Sequence, residues 1–175
     1  RNHSASLIRG IAAGFRRRGL PVGGMDVYTV SEVPRGAGVS SSAAFEVLVA
    51  GLLFGLYNAG GADPLTIAQI AQEAENRYFG KPCGILDQAA CSLGGCMALD
   101  FESPASPRIV RLPARFAEWG LRLCAVDTGG SHSDLTEEFA ACRAEMEEVA
   151  RLLGGRALRD VPQERFERAL PVLRK

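Results

Sequence analysis

Apolar positions near the start of the chain recur at helical spacing. Leu7, Ile8, Ile11, Ala12 and Phe15 follow in steps of one, three, one and three and share one face. Ser4 predicts an N-cap, and Arg16, Arg17, Arg18 and then Gly19 predict the helix end. Met25 to Val33 alternates and is rich in β-formers, so it predicts a strand, followed by a glycine-rich loop from Pro34 to Ser40. Ser41 to Asn58 is apolar nearly all round, the pattern of a buried helix. After a turn at Gly60, Gly61 and Pro64, an amphipathic helix is predicted to Tyr78, with Ile67, Ile70, Ala71, Ala74 and Tyr78 inward.

Cys83 to Gly95 reads as a loop and short helix. Cys96 to Phe101, Arg108 to Leu112 and Leu121 to Asp127 read as strands, separated by the turn Ser103 to Pro107 and the segment Pro113 to Gly120. Asp134 and Glu137 resemble a capping box opening a long helix. Its stripe is Leu135, Phe139, Cys142, Met146, Val149 and Leu153, and Gly154 and Gly155 close it. A last short helix is expected from Asp160 and Pro162, and the domain boundary between Leu112 and Gly120.

Composition narrows the function classes. The 175 residues hold 20 basic and 20 acidic side chains, so the formal charge is zero and neither nucleic acid nor an anionic membrane is the expected partner. The apolar run Ala43 to Leu56 contains Glu46 and two glycines and is shorter than the roughly 20 residues that cross a bilayer. No apolar signal segment opens the chain. Five cysteines without a C-x-x-C predict reduced thiols in a cytoplasm, and two histidines cannot assemble a His-based metal cluster. A start at Arg1 and a stop at Lys175 just after an apolar segment are expected of a piece of a longer chain.

The segment most charged with chemistry is Pro34-Arg35-Gly36-Ala37-Gly38-Val39-Ser40-Ser41-Ser42-Ala43-Ala44. A glycine-serine loop that opens a helix presents backbone N–H groups and the positive end of a dipole to one point, which suits an anion. Serine hydroxyls there could donate to phosphate or ligate magnesium. Loop composition leaves this reading level with a plain serine-capped helix. A second segment, Cys83-Gly84-Ile85-Leu86-Asp87-Gln88, sets one charge among apolar neighbours, and taken alone Asp87 reads as an N-cap. Glu75, twelve residues earlier, lies beside the inner stripe of its helix. An anion loop with two inward carboxylates is what metal-assisted phosphoryl transfer needs: one holds magnesium, the other orients or deprotonates the attacking hydroxyl.

These segments resemble the GHMP kinases (galacto-, homoserine, mevalonate and phosphomevalonate kinases). Pro34 to Ala44 is similar to their second motif, P-x-G-x-G-[LV]-S-S-S-A. Glu73-Ala74-Glu75-Asn76, Gly80 and Cys83 to Gln88 resemble the galactokinase family's E-A-E-N…G…C-G-I-M-D-Q, as Ala157 to Val161 resembles another of its stretches. The resemblance runs from about Leu7 to Val172 and implies an α+β fold of GHMP-kinase type. Residues 1–112 would be the later part of the ATP-binding domain, a mixed sheet packed with helices, and 113–175 would begin a ferredoxin-like C-terminal domain. It also implies ATP and magnesium as cofactors, and galactose as the substrate phosphorylated at its C1 hydroxyl in the Leloir route, by a cytoplasmic monomer.

On this resemblance Gly36, Ala37, Gly38, Val39, Ser40, Ser41 and Ser42 would cradle the ATP phosphates, and Ser42 and Glu75 would hold magnesium. Asp87 would act on the sugar hydroxyl, with Cys83 and Gly84 close to the sugar. The family's N-terminal sugar-binding motif and third, glycine-rich motif are absent, so the isolated chain is expected to bind ATP weakly and not to turn over. A kinase for a related sugar such as N-acetylgalactosamine, or a sugar and ATP sensor without turnover, would share these residues. The Arg16–Arg18 triplet reads as cations at a helix C-terminus ahead of a phosphate patch. His132 reads as a loop histidine, Arg35 as an exposed loop cation, and Arg143 as a partner of Glu147.

Overall fold

The computed structural model describes residues 3–34, 38–59, 61, 63–103, 105–126 and 136–173. The chain divides into two compact units, Arg1–Ser131 and His132–Lys175. The first holds α1 (Ser4–Arg17), α2 (Ser41–Tyr57), α3 (Pro64–Ala74), a π-helical turn (Glu75–Phe79), α4 (Leu86–Leu93), β1 (Met97–Asp100) and β2 (Arg108–Arg111). The second holds α5 (Thr136–Leu152), a 3₁₀ turn (Leu158–Asp160) and α6 (Gln163–Leu173).

The core of the first unit is made by α1, α2 and α3. Ile11, Phe15, Val49, Ala50, Leu53, Phe54, Ile67, Ile70 and Ala74 form one buried cluster, with the rings of Phe15 and Phe54 4.7 Å apart. The inward face of α1 is Leu7, Gly10, Ile11, Gly14 and Phe15, so two glycines stand where the apolar spacing placed Ile8, which is 40% exposed. The glycines matter because α3 comes so close. A Cβ on Gly10 would sit 2.7 Å from Ala74 Cβ, and one on Gly14 2.8 Å from Ile70 Cγ2.

Helix ends follow local chemistry. His3, rather than Ser4, is the N-cap of α1, its Nδ1 accepting from the Ala5 amide. Gly19 takes a left-handed φ of 68° while Leu20 N–H reaches Phe15 O and Gly19 N–H reaches Arg16 O, the two bonds of a Schellman ending. Arg17 and Arg18 then turn to α3, where both donate to Glu73 Oε2 at 3.0 and 2.8 Å. Arg17 also donates to the Tyr78 hydroxyl and lies over its ring. The arginines serve helix packing rather than a phosphate patch. Asp63 caps α3, accepting from Leu65 and Thr66, and Pro64 opens it.

The expected mixed sheet is corrected. Among the described residues the sheet is one antiparallel pair, β1 and β2, with Met97 opposite Arg111 and Asp100 opposite Arg108. Met25 to Val33 and the described part of Leu121 to Asp127 form no strand, and Tyr28, Val30 and Leu123 are exposed. β-propensity cannot act alone, because a strand exists only by pairing its N–H and C=O groups with a neighbour. Among the described residues no segment lies alongside these two. The chain entering the 25–33 segment is held to α2, where the Tyr57 hydroxyl donates to Gly24 O and Asn58 Nδ2 donates to Pro21 O, and Leu20, Val22 and Met25 pack against the core.

Helix α2 also departs from expectation. Among the described residues α1, α3 and α4 are the helices that pack on it, and Leu48 and Leu56 stay 43% and 59% exposed. In the second unit the predicted stripe is largely open. Cys142 and Met146 are exposed and Ala150 is the buried residue of α5, while Asp134, Leu135 and the side chains of Glu137 and Phe139 lie outside the described residues. Gly155 N–H to Ala150 O and Gly154 N–H to Arg151 O end α5 as Gly19 ends α1. Arg143 pairs with Glu147 at 2.9 Å, as its spacing predicts. Among the described residues no helix is long and apolar enough to cross a membrane.

The α1–α3 approach gives a direct test. Gly10→Val puts a branched side chain 2.8 Å from the Ala74 backbone. It is expected to cost about 1–3 kcal/mol in urea unfolding. Wild-type stability would show that the two helices do not pack this closely.

Candidate functional site

The site begins at the loop before α2. Arg35, Gly36 and Ala37 lie outside the described residues. Beyond them Gly38 has φ 72° and Ser40 has φ 59°, the latter a left-handed conformation that a side chain disfavours. Ser40 is the N-cap of α2, yet its side chain makes no capping hydrogen bond. That counts against the plain serine-cap reading. Among the described residues no side chain accepts from the first amides of α2, from Ser41 onward. Val39 is exposed and Ser40, Ser41 and Ser42 are half-buried.

One turn further along α2, Glu46 is 0% exposed. It meets Gln88 of α4 and, through it, Glu75, which heads the π-helical turn. Gln88 Nε2 donates to Glu46 Oε2 at 3.1 Å and to Glu75 Oε2 at 2.8 Å. Glu75 is 2% and Gln88 1% exposed. Cys83 adds a second donor, its Sγ 3.1 Å from Glu75 Oε2. Lys81 Nζ stands 3.4 Å from Glu75 Oε1. The Oε1 atoms of Glu46, Glu75 and Gln88 are buried without a hydrogen bond.

Local geometry explains why these residues meet. The π-helical turn carries Glu75 O to two amides, those of Gly80 at 2.9 Å and Lys81 at 3.2 Å, and Gly80 reverses the chain at φ 93°. Asn76 then holds the returning strand of chain. Its Oδ1 accepts from the Cys83 amide at 2.7 Å and its Nδ2 donates to Cys83 O, to which Gln72 also donates. The four residues of Glu73-Ala74-Glu75-Asn76 thus divide their work: Glu73 binds α1, Ala74 admits Gly10, Glu75 enters the site and Asn76 anchors Cys83.

Electrostatics follow from burial. Removal from water, reinforced by the Glu75 charge, pushes the Glu46 carboxyl up to about 8, against the lowering effect of the Gln88 hydrogen bond. Burial and Glu75 likewise push the Cys83 thiol up, so Cys83 is a hydrogen-bond donor here rather than a thiolate. All five cysteines are free.

Asp87 lies in the first turn of α4, exposed, and Ile85 rather than Asp87 is the N-cap. The cap reading therefore fails. Its charge acts on Glu46 and Cys91. Gly84 is exposed and would meet nothing with an added Cβ. The structure thus brings Glu75 and Cys83 into one cluster, with Asp87 beside Gln88 at its rim. His132 lies outside the described residues. Sequence reasoning missed Glu46, Lys81 and Gln88 as site residues. The signal for Glu46 was present: it is the one acid in the helix SSAAFEVLVAGLLFGLY.

Comparison with known proteins places this geometry. Residues 6–95 match the family described as GHMP kinases N terminal domain, and every residue of the buried cluster falls in that span. The chain belongs to the GHMP kinases. Among relatives of this GHMP kinase chain, the galactokinase of Streptomyces coelicolor is 42% identical over 164 residues, covering 92% of the chain and 41% of the relative. That of Chloroflexus aurantiacus is 39% identical over 168 residues, covering 92% and 42%. That of Thermotoga petrophila is 33% identical over 174 residues, covering 99% and 49%. The chain therefore spans between two fifths and half of the length of these relatives.

The buried acid makes stability depend on pH. The unfolded Glu46 carboxyl ionises near 4.5 and the folded one near 8. A raised folded value means full stability below the lower figure and progressive loss as pH rises through the higher. Thermal midpoints are expected to fall across that window, and Glu46→Gln is expected to remove most of the fall. An unchanged slope in the variant would show that Glu46 is ionised in the folded protein.

Proposed function

We propose that the full protein transfers the γ-phosphoryl group of ATP to the C1 hydroxyl of galactose, forming galactose 1-phosphate in the Leloir route. The observation that carries this reading is the Cys83–Gln88 turn, in which the Cys83 thiol and the amide of Gln88, the residue after Asp87, converge on the Glu75 carboxyl group. The printed names of the relatives, galactokinases, support the substrate.

The residues fit the groups required. Among the described residues the α2 amides from Ser41 onward lack a side-chain acceptor, as a phosphate cradle needs, and Gly36, Ala37, Gly38, Val39, Ser40, Ser41 and Ser42 would form it. Glu75 Oε1 is a buried carboxyl oxygen without a hydrogen bond, facing the Lys81 ammonium. Such a hard donor suits magnesium, which Glu75 and the Ser42 hydroxyl would hold. Bound magnesium would offset charge on the transferring phosphoryl oxygens. Asp87, exposed at the rim, would orient the C1 hydroxyl and accept its proton as that oxygen attacks phosphorus, and Cys83 and Gly84 would border the sugar. Catalysis on this reading is mostly positioning and electrostatics.

Residues 1–112 would be the later part of the ATP-binding domain and residues 113–175 the start of a ferredoxin-like C-terminal domain. The whole protein would be a monomer, and five free thiols suit a reducing cytoplasm.

The test follows ADP release by the full-length protein with ATP and magnesium across galactose, glucose, N-acetylgalactosamine, homoserine and mevalonate. Turnover confined to galactose is expected. Asp87→Asn is expected to lower kcat by about 10²–10⁴-fold with ATP affinity near wild type. Turnover on another member would overturn the substrate, and full activity in the variant would overturn the role of Asp87. Binding of galactose and ATP without turnover would make the protein a sensor.

A further inference from the structure

Glu46 has no place in the chemistry proposed above, yet it is fully buried in a helix whose other inward residues, Ala43, Val49, Ala50, Leu53 and Phe54, are apolar. An apolar side chain of that size would avoid the desolvation that an acid suffers there. What the acid supplies instead is an acceptor.

Gln88 Nε2 carries two hydrogens, and its two shortest contacts, Glu46 Oε2 at 3.1 Å and Glu75 Oε2 at 2.8 Å, can use both, with the Cys83 sulfur farther off at 3.7 Å. A flipped amide would turn its oxygen onto Glu75 Oε2, an acceptor that now receives the Nε2 hydrogen, so the contact with Glu75 favours the orientation seen and the contact with Glu46 ties that amide to α2. The amide in turn holds Glu75 Oε2, leaving Oε1 as the oxygen of that side chain without a hydrogen bond, 3.4 Å from Lys81 Nζ. Remove Glu46 and the amide keeps Glu75 Oε2 and the Cys83 sulfur, 3.7 Å away, but loses its one tie to α2.

The spacing along α2 gives this link its consequence. Ser42 precedes Glu46 by four residues, so the two lie one turn apart on the same helix face. Gln88 directly follows Asp87 in the first turn of α4. One amide therefore ties the helix of Ser42, the turn of Glu75 and the helix of Asp87. We infer that Glu46 is a positioning residue that acts through Gln88 to set the Glu75 carboxylate relative to Ser42 and the Asp87 helix. The inference rests on the proposed function, in which Ser42 and Glu75 hold magnesium.

The experiment uses the full-length protein and two readouts: the magnesium dependence of ADP binding by calorimetry, and kcat on galactose. Glu46→Leu is expected to weaken the magnesium-dependent part of ADP binding and to lower kcat by about 10–100-fold, the usual effect of losing a partner that orients a metal ligand. ADP binding without magnesium should stay at the wild-type level, and the thermal midpoint should not fall. Glu46→Gln restores an acceptor for Gln88 and should bring both readouts most of the way back. Because the effect runs through one amide, Gln88→Leu should match Glu46→Leu, and the double variant should lose no more than either.

Wild-type magnesium dependence and kcat in Glu46→Leu would overturn the inference. So would equal losses in the Leu and Gln variants, or additive losses in the double variant. Should Glu46→Leu fail to fold, Gln88→Leu decides, and wild-type magnesium dependence there overturns it as well. Failure of the wild type itself to bind ADP with magnesium or to phosphorylate galactose would overturn the proposed function first, in an arm that contains no variant.

Discussion

One amide shared between two buried carboxylates governs the architecture around the site. Neither Glu46 nor Glu75 could be buried without a donor, and Gln88 reaches both with a single nitrogen. Burial and the neighbouring Glu75, against the effect of the Gln88 hydrogen bond, raise the affinity of Glu46 for its proton, which lessens the charge that the interior must hold. Helices α2 and α4 and the turn after α3 are thereby held at one mutual spacing. Apolar contacts alone would specify that spacing less sharply, since they have no direction.

The rest of the first unit supplies the rigidity that this link requires. Glycines at positions 10 and 14 let α1 lie against α3 with no intervening side chain, and Glu73 closes the contact by accepting from Arg17 and Arg18. A helix held so tightly can end in a π-helical turn whose first residue points inward, and Gly80 and Asn76 then return the chain so that Cys83 faces Glu75. The same short run of sequence thus packs a helix, aims a carboxylate and anchors a turn. Stability and chemistry are not separable in it.

Much of this was legible along the chain. Periodicity and capping residues gave α1 through α4, the hairpin of β1 and β2, and the helix ends at Gly19 and Gly154. The loop and turn motifs pointed to Ser42, Glu75, Cys83 and Asp87. The strand at Met25 to Val33 was misread for a physical reason: alternation reports a preference for pairing, and no partner lies alongside it among the described residues. The apolar circumference of α2 was read as full burial, whereas among the described residues three neighbouring helices leave Leu48 and Leu56 exposed.

Local chemistry in the sequence determined which segments are helices, where they stop, and which residue types could serve phosphate and a hard cation. Those are properties of neighbours along the chain. Only the tertiary structure decided that Glu46, 42 residues from Gln88, accepts the same amide as Glu75, and that Asp87 stays exposed instead of capping its helix. The reason is that burial and hydrogen-bond direction depend on which helices pack together, and a one-dimensional pattern records how far each residue tends to be buried but not what it meets there.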